Sequence, residues 1–284
     1  MKLVASVYTQ QQLNKFLNYI DGAILNFAGY SLIYEDLNID EALAVCRKNH
    51  ITPILAVNRL YHPKDMDRVR SLFIKYMAED ILFLITDIGA ASLAMELSLI
   101  DRVIFDSQTM IANPMDLREY AALGFHSVSM SLEIPFADVT SAIEETGAKV
   151  FYQIFGHRLM FYSKRHLISL YEEKASVHAE GQKLYLREET RQEDIPVIEN
   201  ESGTMMYRPY AVSYLGQPLD FLSYGYLESL AVPEQQFLEI LKTYWDVIHQ
   251  NISLSEGLER IQETGVHTEE GFTYCDSIYQ KELF

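Results

Sequence analysis

The chain has 284 residues, of which 49% are apolar and 22% are charged, so it has ample material for a hydrophobic core. Its 40 acidic residues against 23 basic ones give a formal net charge of −17. Because affinity for nucleic-acid phosphates comes from Lys and Arg, this charge argues against DNA binding. Any contact with RNA has to use a local basic patch or a partner.

The sequence also bears on the compartment. No stretch approaches the roughly 20 uninterrupted apolar residues of a membrane span. The first residues, MKLVASVYTQQQLNKF, lack the apolar run and cleavage site of a secretory signal. The two cysteines, Cys46 and Cys275, are far apart and neither belongs to a CxxC pair, which fits a reducing environment. We therefore expect a cytoplasmic protein without membrane contact or disulfides.

Short apolar runs alternate with amphipathic helical patterns in the first part of the chain. The runs are LVASVY (3–8), AILNF (23–27), TPILAV (52–57), ILFLITD (81–87), RVIFDS (102–107), SVSMS (127–131) and KVFYQIF (149–155). Such runs are typical of buried parallel strands, which are apolar on both faces. Capping residues support the helices predicted between these strands, for example Asn113 as an N-cap, Pro114 in the first turn and Gly124 at the end. Seven such units predict a (β/α)8 barrel, and a doubly wound open sheet is the alternative.

The alternation breaks after the seventh strand. Residues 172–220 are polar and are predicted to form an irregular insertion of loops or hairpins. DFLSYGYLES (220–229) is the predicted eighth strand, and VPEQQFLEILKTYWDVIHQ (232–250) has the periodicity of a helix. We expect a barrel domain over residues 1–250, insertion included. The tail, 251–284, is expected to pack back on it through Phe272, Tyr274, Tyr279 and Phe284.

In a parallel barrel the active face lies at the carboxyl ends of the strands. The polar residues predicted there are Asn26, Asn58, Asp87, Asp106, Gln108, Ser131, Glu133 and His157. Each can also be explained as a loop or cap residue. Glu133 and His157 are the better candidates, because they follow adjacent strands and neither is placed as a cap. His157 has an alternative role as a structural hydrogen-bonding histidine.

One stretch of this acidic chain is basic. Between Thr146 and Tyr171 there is no Asp or Glu. The cationic side chains of this basic window are Lys149, Arg158, Lys164 and Arg165, with His157 and His166 beside them. We expect Arg158, Lys164, Arg165 and His166 to stand over the barrel mouth as a site for phosphate or carboxylate. A solvated helix face is the alternative.

Several familiar chemistries have no support in the sequence. There is no G-x-S-x-G around a serine, no HExxH and no Cys/His cluster at zinc spacing. The first strand is not followed by G-x-G-x-x-G, so a dinucleotide site is not indicated. Cys46 lies on the apolar face of a predicted helix and is interpreted as a packing residue.

Three blocks of the sequence resemble the collagenase-like peptidase family, peptidase family U-32. QIFGHRLMFYSKRHLISLY (153–171) is similar to the family signature E-x-F-x-H-G-x-x-C followed by S-G-x-C-x-x-S. DSQTMIANPMDLREYAALGFHSVSMSLEI (106–134) and YGYLESLAVPEQQFLEILKTYWD resemble the blocks before and after it. Positions that match the motifs are His157, Ser163, Ser169, Asn113, Ser131 and Glu133. The resemblance makes His157, Glu133 and Ser131 candidate catalytic residues and Asn113 a candidate substrate-binding residue.

The chain departs from the family pattern at other positions. Gln153 stands where the family has Glu, Arg158 follows the His in place of Gly, and the family's cysteines fall near Phe161 and at His166. Some members hold an iron–sulfur cluster through four cysteines and hydroxylate the wobble uridine of tRNA, which this chain cannot do with the same ligands. It looks most like the short, cysteine-poor subfamily that accompanies a longer, cysteine-bearing paralogue in that reaction.

This resemblance implies that the chain carries neither a metal nor a cluster of its own. It also implies a heteromer with the paralogue, and contact with tRNA either indirectly or through the basic window. Two alternatives stay open. The chain could be a peptidase in its own right, or a barrel kept as a non-catalytic ligand-binding scaffold.

Overall fold

The structure is a computed structural model that describes residues 1–176, 183–187, 189–190 and 193–273. Its centre is a closed parallel barrel. The barrel strands are β1 Lys2–Val7, β2 Gly22–Leu25, β3 Thr52–Val57, β4 Leu82–Ile85, β5 Val103–Phe105, β6 Ser127–Ser129, β7 Val150–Ser163 and β11 Tyr224–Leu227. Since β11 pairs in parallel with both β1 and β7, the ring closes. The (β/α)8 prediction is confirmed and the open sheet is excluded.

Helices cover the outside of this ring. They are α1 Gln10–Phe16, α2 Ile39–Lys48, α3 Met66–Tyr76, α4 Ile88–Glu96, α5 Pro114–Ala122, α6 Phe136–Thr146, α8 Glu234–Ile248 and α9 Leu254–Glu263, while α7 Leu167–Ala175 contacts β10 beyond the ring. Strand residues alternate between two cores, as the period of two requires. In β1, for example, Leu3 and Ala5 belong to the core under the helices, whereas Val4 belongs to the core inside the ring. No helix of the described residues is long and apolar enough to cross a membrane.

The seventh strand is longer than the sequence predicts. The apolar run ends near residue 155, yet β7 continues to Ser163. Its outer half leaves the ring and pairs antiparallel with β10 Gly203–Ser213, which in turn pairs with β9 Asp194–Asn200. β9 also pairs with β8 Lys183–Arg187. The insertion predicted as irregular therefore contains the end of α7 and the strands β8, β9 and β10. We call the antiparallel sheet that these strands form with the outer half of β7 the roof.

The roof lies across the barrel mouth. A separate apolar cluster joins it to the loops after β2 and β11, and its buried members are Leu32, Ile198, Met205, Tyr207 and Leu230. Polar contacts fasten its far end, where Asn200 Nδ2 donates to the Leu32 carbonyl oxygen (3.0 Å) and Arg59 pairs with Glu201 (2.8 Å). The carboxyl ends of the barrel strands are thus covered by protein rather than open to solvent.

The carboxyl-terminal part of the chain also contacts the roof. β12 Thr268–Glu269 pairs in parallel with β10, and the Arg208 guanidinium lies 5.0 Å from the centre of the Phe272 ring. Tyr274, Tyr279 and Phe284, named in the packing prediction, lie outside the described residues. The division into a barrel domain ending at residue 250 and a separate tail stays a prediction.

Gly156 marks the point where β7 leaves the ring. Its φ is +114°, a conformation that L side chains rarely adopt, and a Cβ built there would lie 2.5 Å from the Glu228 carbonyl oxygen. Only glycine allows β7 to approach β11 so closely and then turn into the roof. The bend also sets the direction of the next residue, His157.

We predict that Gly156→Ala lowers the free energy of unfolding by at least about 2 kcal/mol, because strained backbone and a backbone clash add together. Gly147→Ala is the matched control, since Gly147 also has positive φ (+66°) but a Cβ there meets nothing within 4 Å. Its cost should be about 1 kcal/mol. Urea denaturation of both variants checks this, and equal losses would contradict the role given to Gly156.

Candidate functional site

A small cavity lies at the barrel mouth, beneath the roof. Its volume is about 90 Å³, whereas about 150 Å³ is enough for a benzene molecule. The polar residues that line it are Tyr8, Asn26, Asn58, Asp106, Gln108, Thr109, Ser129, Glu133, Gln153, His157, Arg158, Tyr207, Arg208, Tyr226 and Glu228. The space suits one small group rather than a long chain. We call it the mouth cavity.

A carboxylate with four donors sits on one side of the mouth cavity. Glu228 follows β11, and its Oε1 accepts from the Ser6 hydroxyl (2.7 Å), the Tyr8 phenol (2.8 Å) and the Leu230 N–H (2.8 Å). Its Oε2 accepts from the Tyr226 phenol. Burial, and then the Glu228 charge, raise the pKa of both tyrosines, so they keep their protons and donate. The Glu228 carboxyl group is therefore held in place by four hydrogen bonds.

A second carboxyl group, Asp106, follows β5. Its Oδ1 accepts from the Ser129 hydroxyl (2.6 Å) and the Gln108 N–H (3.3 Å). No hydrogen bond within the described residues involves its Oδ2. Burial raises the pKa of Asp106, an effect that outweighs the opposing hydrogen bonds. A carboxyl group with a raised pKa in a cavity is a candidate for proton exchange with a ligand.

Three more side chains that line the mouth cavity have an acceptor atom without a donor in the described residues. The Nδ1 of His157 lies 2.7 Å from the Arg208 carbonyl oxygen and donates to it, so Nε2 of the neutral ring is an acceptor. Burial lowers the pKa of His157, which favours this neutral form. The amide nitrogens of Gln153 and Asn26 each donate to two backbone carbonyls at 3.3 Å. Their amide oxygens are left for the cavity.

The structure does not bring the basic window together. Arg158 is buried (3% exposed), and its guanidinium donates to the Leu132 carbonyl oxygen and to the Tyr214 phenol (2.9 Å). It also lies 5.1 Å from the centre of the Tyr214 ring. The Arg158 guanidinium thus stabilises the loop after β6, to which Leu132 belongs. Lys149 precedes β7, at the opposite end of the barrel.

Lys164, Arg165 and His166 are exposed at the tip of the roof. Ser163 lies five residue steps beyond Arg158 along β7, a distance of about 17 Å at about 3.3 Å per residue. Burial lowers the pKa of Lys164, while Asp65 and Asp87 oppose that effect. The tip therefore lies near the loops after β3 and β4, beside the mouth rather than over it. An anion-binding role for Lys164, Arg165 and His166 stays a prediction.

The remaining predicted residues have local partners. Asn113 is exposed and caps α5, where its Oδ1 accepts from the Asp116 N–H (2.9 Å). Ser131 is buried, and its hydroxyl accepts from the Glu133 N–H (3.2 Å). Glu133 is exposed at the rim of the mouth cavity, close enough to line it. Neither Asn113 nor Ser131 lines the cavity, whereas His157 and Glu133 do.

Asn58 and Asp87 act locally as well. Asn58 Oδ1 accepts from the Leu32 N–H (2.8 Å) and so fixes the loop after β2. Asp87 caps α4 by accepting from the Ala90 N–H (2.9 Å). Gln108 lies in the loop after β5 with φ of +61°, an uncommon conformation for a residue other than glycine. Of these three, Asn58 and Gln108 line the mouth cavity.

Sequence reasoning missed the Glu228 cluster. Glu228 lies inside the predicted eighth strand, in YLES, where an acidic residue in an apolar run was the available signal. Tyr8 follows the first strand in the same way. Tyr207 was hidden in the insertion, and nothing in the sequence placed it at the barrel mouth.

Comparisons with known proteins bear on this fold. Residues 33–221 match the model of peptidase family U32. The solved structure of the U32 peptidase Mk0906 has a TM-score of 0.53 at 11% identity, over 82% of this chain and 94% of that chain. A chitinase from Chromobacterium violaceum ATCC 12472 has a TM-score of 0.42 at 9% identity, over 91% of this chain and 99% of that one. No curated protein matches the sequence. At these identities the structural likeness to Mk0906 concerns the fold alone.

The raised pKa of Asp106 predicts a pH-dependent stability. An unfolded Asp has a pKa of about 3.9, so the folded chain binds an extra proton above that pH. The stability from Asp106 is therefore full at lower pH and is lost as pH rises through the folded pKa. Asp106→Asn removes this loss, so its stability relative to the parent should grow from pH 4.5 to pH 8.

Urea denaturation at several pH values measures the difference. Ser129→Ala should change the pH dependence of stability in the opposite direction, because the Ser129 hydroxyl lowers the pKa of Asp106 by favouring its ionised form. Its stability relative to the parent should fall over the same range. A difference for Asp106→Asn that is constant with pH would contradict the raised pKa.

We also predict that the purified chain binds no stoichiometric iron or zinc. The chain has two cysteines, far fewer soft ligands than a cluster requires. Within the described residues, no three His, Cys, Asp or Glu side chains are grouped as for a metal. Elemental analysis after anaerobic purification checks this. About one tightly bound metal per chain would overturn the prediction.

Proposed function

The chain belongs to peptidase family U32, and we propose that within this family it is a subunit for the 5-hydroxylation of wobble uridine in tRNA. Its partner would be a longer paralogue that carries an iron–sulfur cluster. The observation that carries the proposal is the roofed mouth cavity, which has room and polar groups for one small group but not for a peptide. The resemblance to the short, cysteine-poor subfamily supplies the reaction.

The geometry gives little support to peptidase chemistry. A serine nucleophile needs a base within hydrogen-bond reach. The Ser169 hydroxyl donates to Glu199, a carboxylate that also accepts from two N–H groups and from the Thr204 hydroxyl. The Ser163 hydroxyl accepts from the Arg165 N–H (3.1 Å), and Ser131 accepts from the Glu133 N–H in its own turn. The Nδ1 of His157 is bonded to the Arg208 carbonyl oxygen. None of these bonds joins a serine to His157.

We propose that the iron–sulfur cluster belongs to the partner because this chain has few cysteines that could ligate it. Thiolate is the form of cysteine that ligates metals. Burial raises the pKa of Cys46 to about 12, so this residue stays a thiol on the buried face of α2. The residues that match the family's cysteine positions are Phe161, or a neighbour of it, and His166. This chain would then contribute binding and positioning, while the paralogue supplies redox chemistry.

The tip of the roof offers a place for tRNA. Lys164, Arg165 and His166 are exposed beside the mouth, in a segment without carboxylates of its own. On a chain of net charge −17, such a patch would direct a phosphate backbone to this end of the barrel. The patch and the mouth cavity lie on the same face, as binding of RNA and access to a small group require.

We predict that deletion of the gene abolishes or strongly lowers 5-hydroxyuridine at the wobble position. Mass spectrometry of tRNA nucleosides from the deletion strain measures it, with complementation by the parent chain as the control. Unchanged 5-hydroxyuridine in the deletion strain would refute the proposal. Loss that the parent gene fails to restore would point to a neighbouring gene instead, and would equally refute it.

Complementation also tests the tip of the roof. Lys164→Glu with Arg165→Glu should lower 5-hydroxyuridine at least about tenfold, because two repelled phosphates cost about 1.4 kcal/mol or more. Thermal stability should stay within about 0.5 kcal/mol, as for other exposed substitutions. Lys48→Glu with Lys149→Glu is the matched control, since both lysines are exposed at the other end of the barrel. Equal activity of both double variants would remove the tip from the tRNA site.

The peptidase alternative is tested with the isolated chain. We predict no cleavage of gelatin or casein above background, because the serine hydroxyls named above are engaged away from His157. Fluorogenic gelatin and casein assays on extensively purified protein check this. Turnover that survives purification and disappears in His157→Ala or Ser169→Ala would make the peptidase role the better account.

A further inference from the structure

The polarity of the mouth cavity points to the chemistry of its occupant. We infer that the floor of this cavity binds a small, uncharged, planar group of the amide or ureide type, whose N–H groups donate to Asn26, Gln153 and His157. The inference goes beyond the tRNA role, since it concerns this chain's own cavity and is tested without tRNA or partner.

The first argument is the fixed direction of the acceptors. Gln153 and Asn26 are buried (7% and 4% exposed), and both turn their amide nitrogens to backbone carbonyls. Each amide oxygen therefore faces the remaining space, and a flipped amide would place its oxygen against two carbonyl oxygens. The His157 Nε2 is a third acceptor, since Nδ1 holds the proton. Three acceptors held by backbone contacts call for a ligand with several donors.

The second argument is the charge around the cavity. The carboxyl groups that line it are Asp106, Glu133 and Glu228. The two arginines that line it already have protein partners: Arg158 donates to the Leu132 carbonyl oxygen and to the Tyr214 phenol, and Arg208 donates to the Tyr210 phenol (2.7 Å). An anion would meet the carboxyl groups of Glu133 and Glu228 and the lone pairs of three acceptors, and no lining cation in the described part of the chain is without a protein partner. The floor therefore disfavours carboxylate and phosphate.

The third argument separates neutral ligands from cations. Glu228 already accepts four hydrogen bonds from the protein. Asp106 and Tyr207 line the same cavity, and no hydrogen bond to the Asp106 Oδ2 or the Tyr207 phenol oxygen occurs in the described residues. A phenol and a carboxyl group that keeps its proton can donate to a ligand carbonyl. A planar group with both N–H and C=O edges satisfies this mixture, whereas a cation has no acceptor to offer.

The test uses three probes of one shape and different charge: acetamide, acetamidinium and acetate. Ligand-detected saturation-transfer NMR on the full chain should give acetamide an affinity at least about tenfold higher than that of either ion. The affinity itself should be no tighter than tens of micromolar, because a ligand of so few atoms can gain only about 1.5 kcal/mol per atom at best. Equal or tighter binding of acetate or of acetamidinium, or no binding of acetamide, would overturn the inference.

A charge swap locates the site. Gln153→Glu places a carboxylate among the acceptors, so the preference should shift from acetamide to acetamidinium by about tenfold or more. Gln262→Glu, an exposed position on α9, is the matched control and should leave the order of the three probes unchanged. If Gln153→Glu binds the probes as the parent does, acetamide binds elsewhere and the inference is wrong. If the variant does not fold, the parent's order of affinities still decides.

Discussion

The structure depends on one strand that serves two sheets. β7 closes the barrel against β11 and then continues into the roof, and the change of direction occurs at Gly156, against the backbone of Glu228. Because the strand is continuous, the roof and the ring share one backbone segment. The position of His157, the first residue beyond the bend, follows from the same constraint. The mouth cavity therefore lies between two sheets that have this strand in common.

Within that space the protein handles two carboxyl groups differently. Glu228 receives four donors, among them two tyrosines whose own ionisation is suppressed by burial. Asp106 receives two donors on one oxygen only, and burial raises its pKa. Glu228 is thus held by the protein on both oxygens, whereas the second oxygen of Asp106 has no hydrogen bond within the described residues.

Much of the barrel could be predicted from the sequence, because buried parallel strands and capped helices have local signals. TPILAV gave a strand with the observed bounds, and Asn113 is the cap that its position indicated. The roof could not be predicted in the same way, since its strands are paired through contacts distant in sequence. The basic window shows the limit most clearly. The charge pattern along the chain grouped Arg158 with Lys164 and Arg165. In the structure Arg158 is buried, whereas Lys164 and Arg165 lie at the far end of β7 and are exposed.

The proposal that the chain assists a cluster-bearing paralogue is tested most directly by reconstitution. Hypomodified tRNA is incubated anaerobically with the paralogue alone, with this chain alone and with both, and 5-hydroxyuridine is quantified by mass spectrometry. The account predicts modification with both proteins and at most about a tenth of that yield with either one. The same yield from the paralogue alone would contradict it.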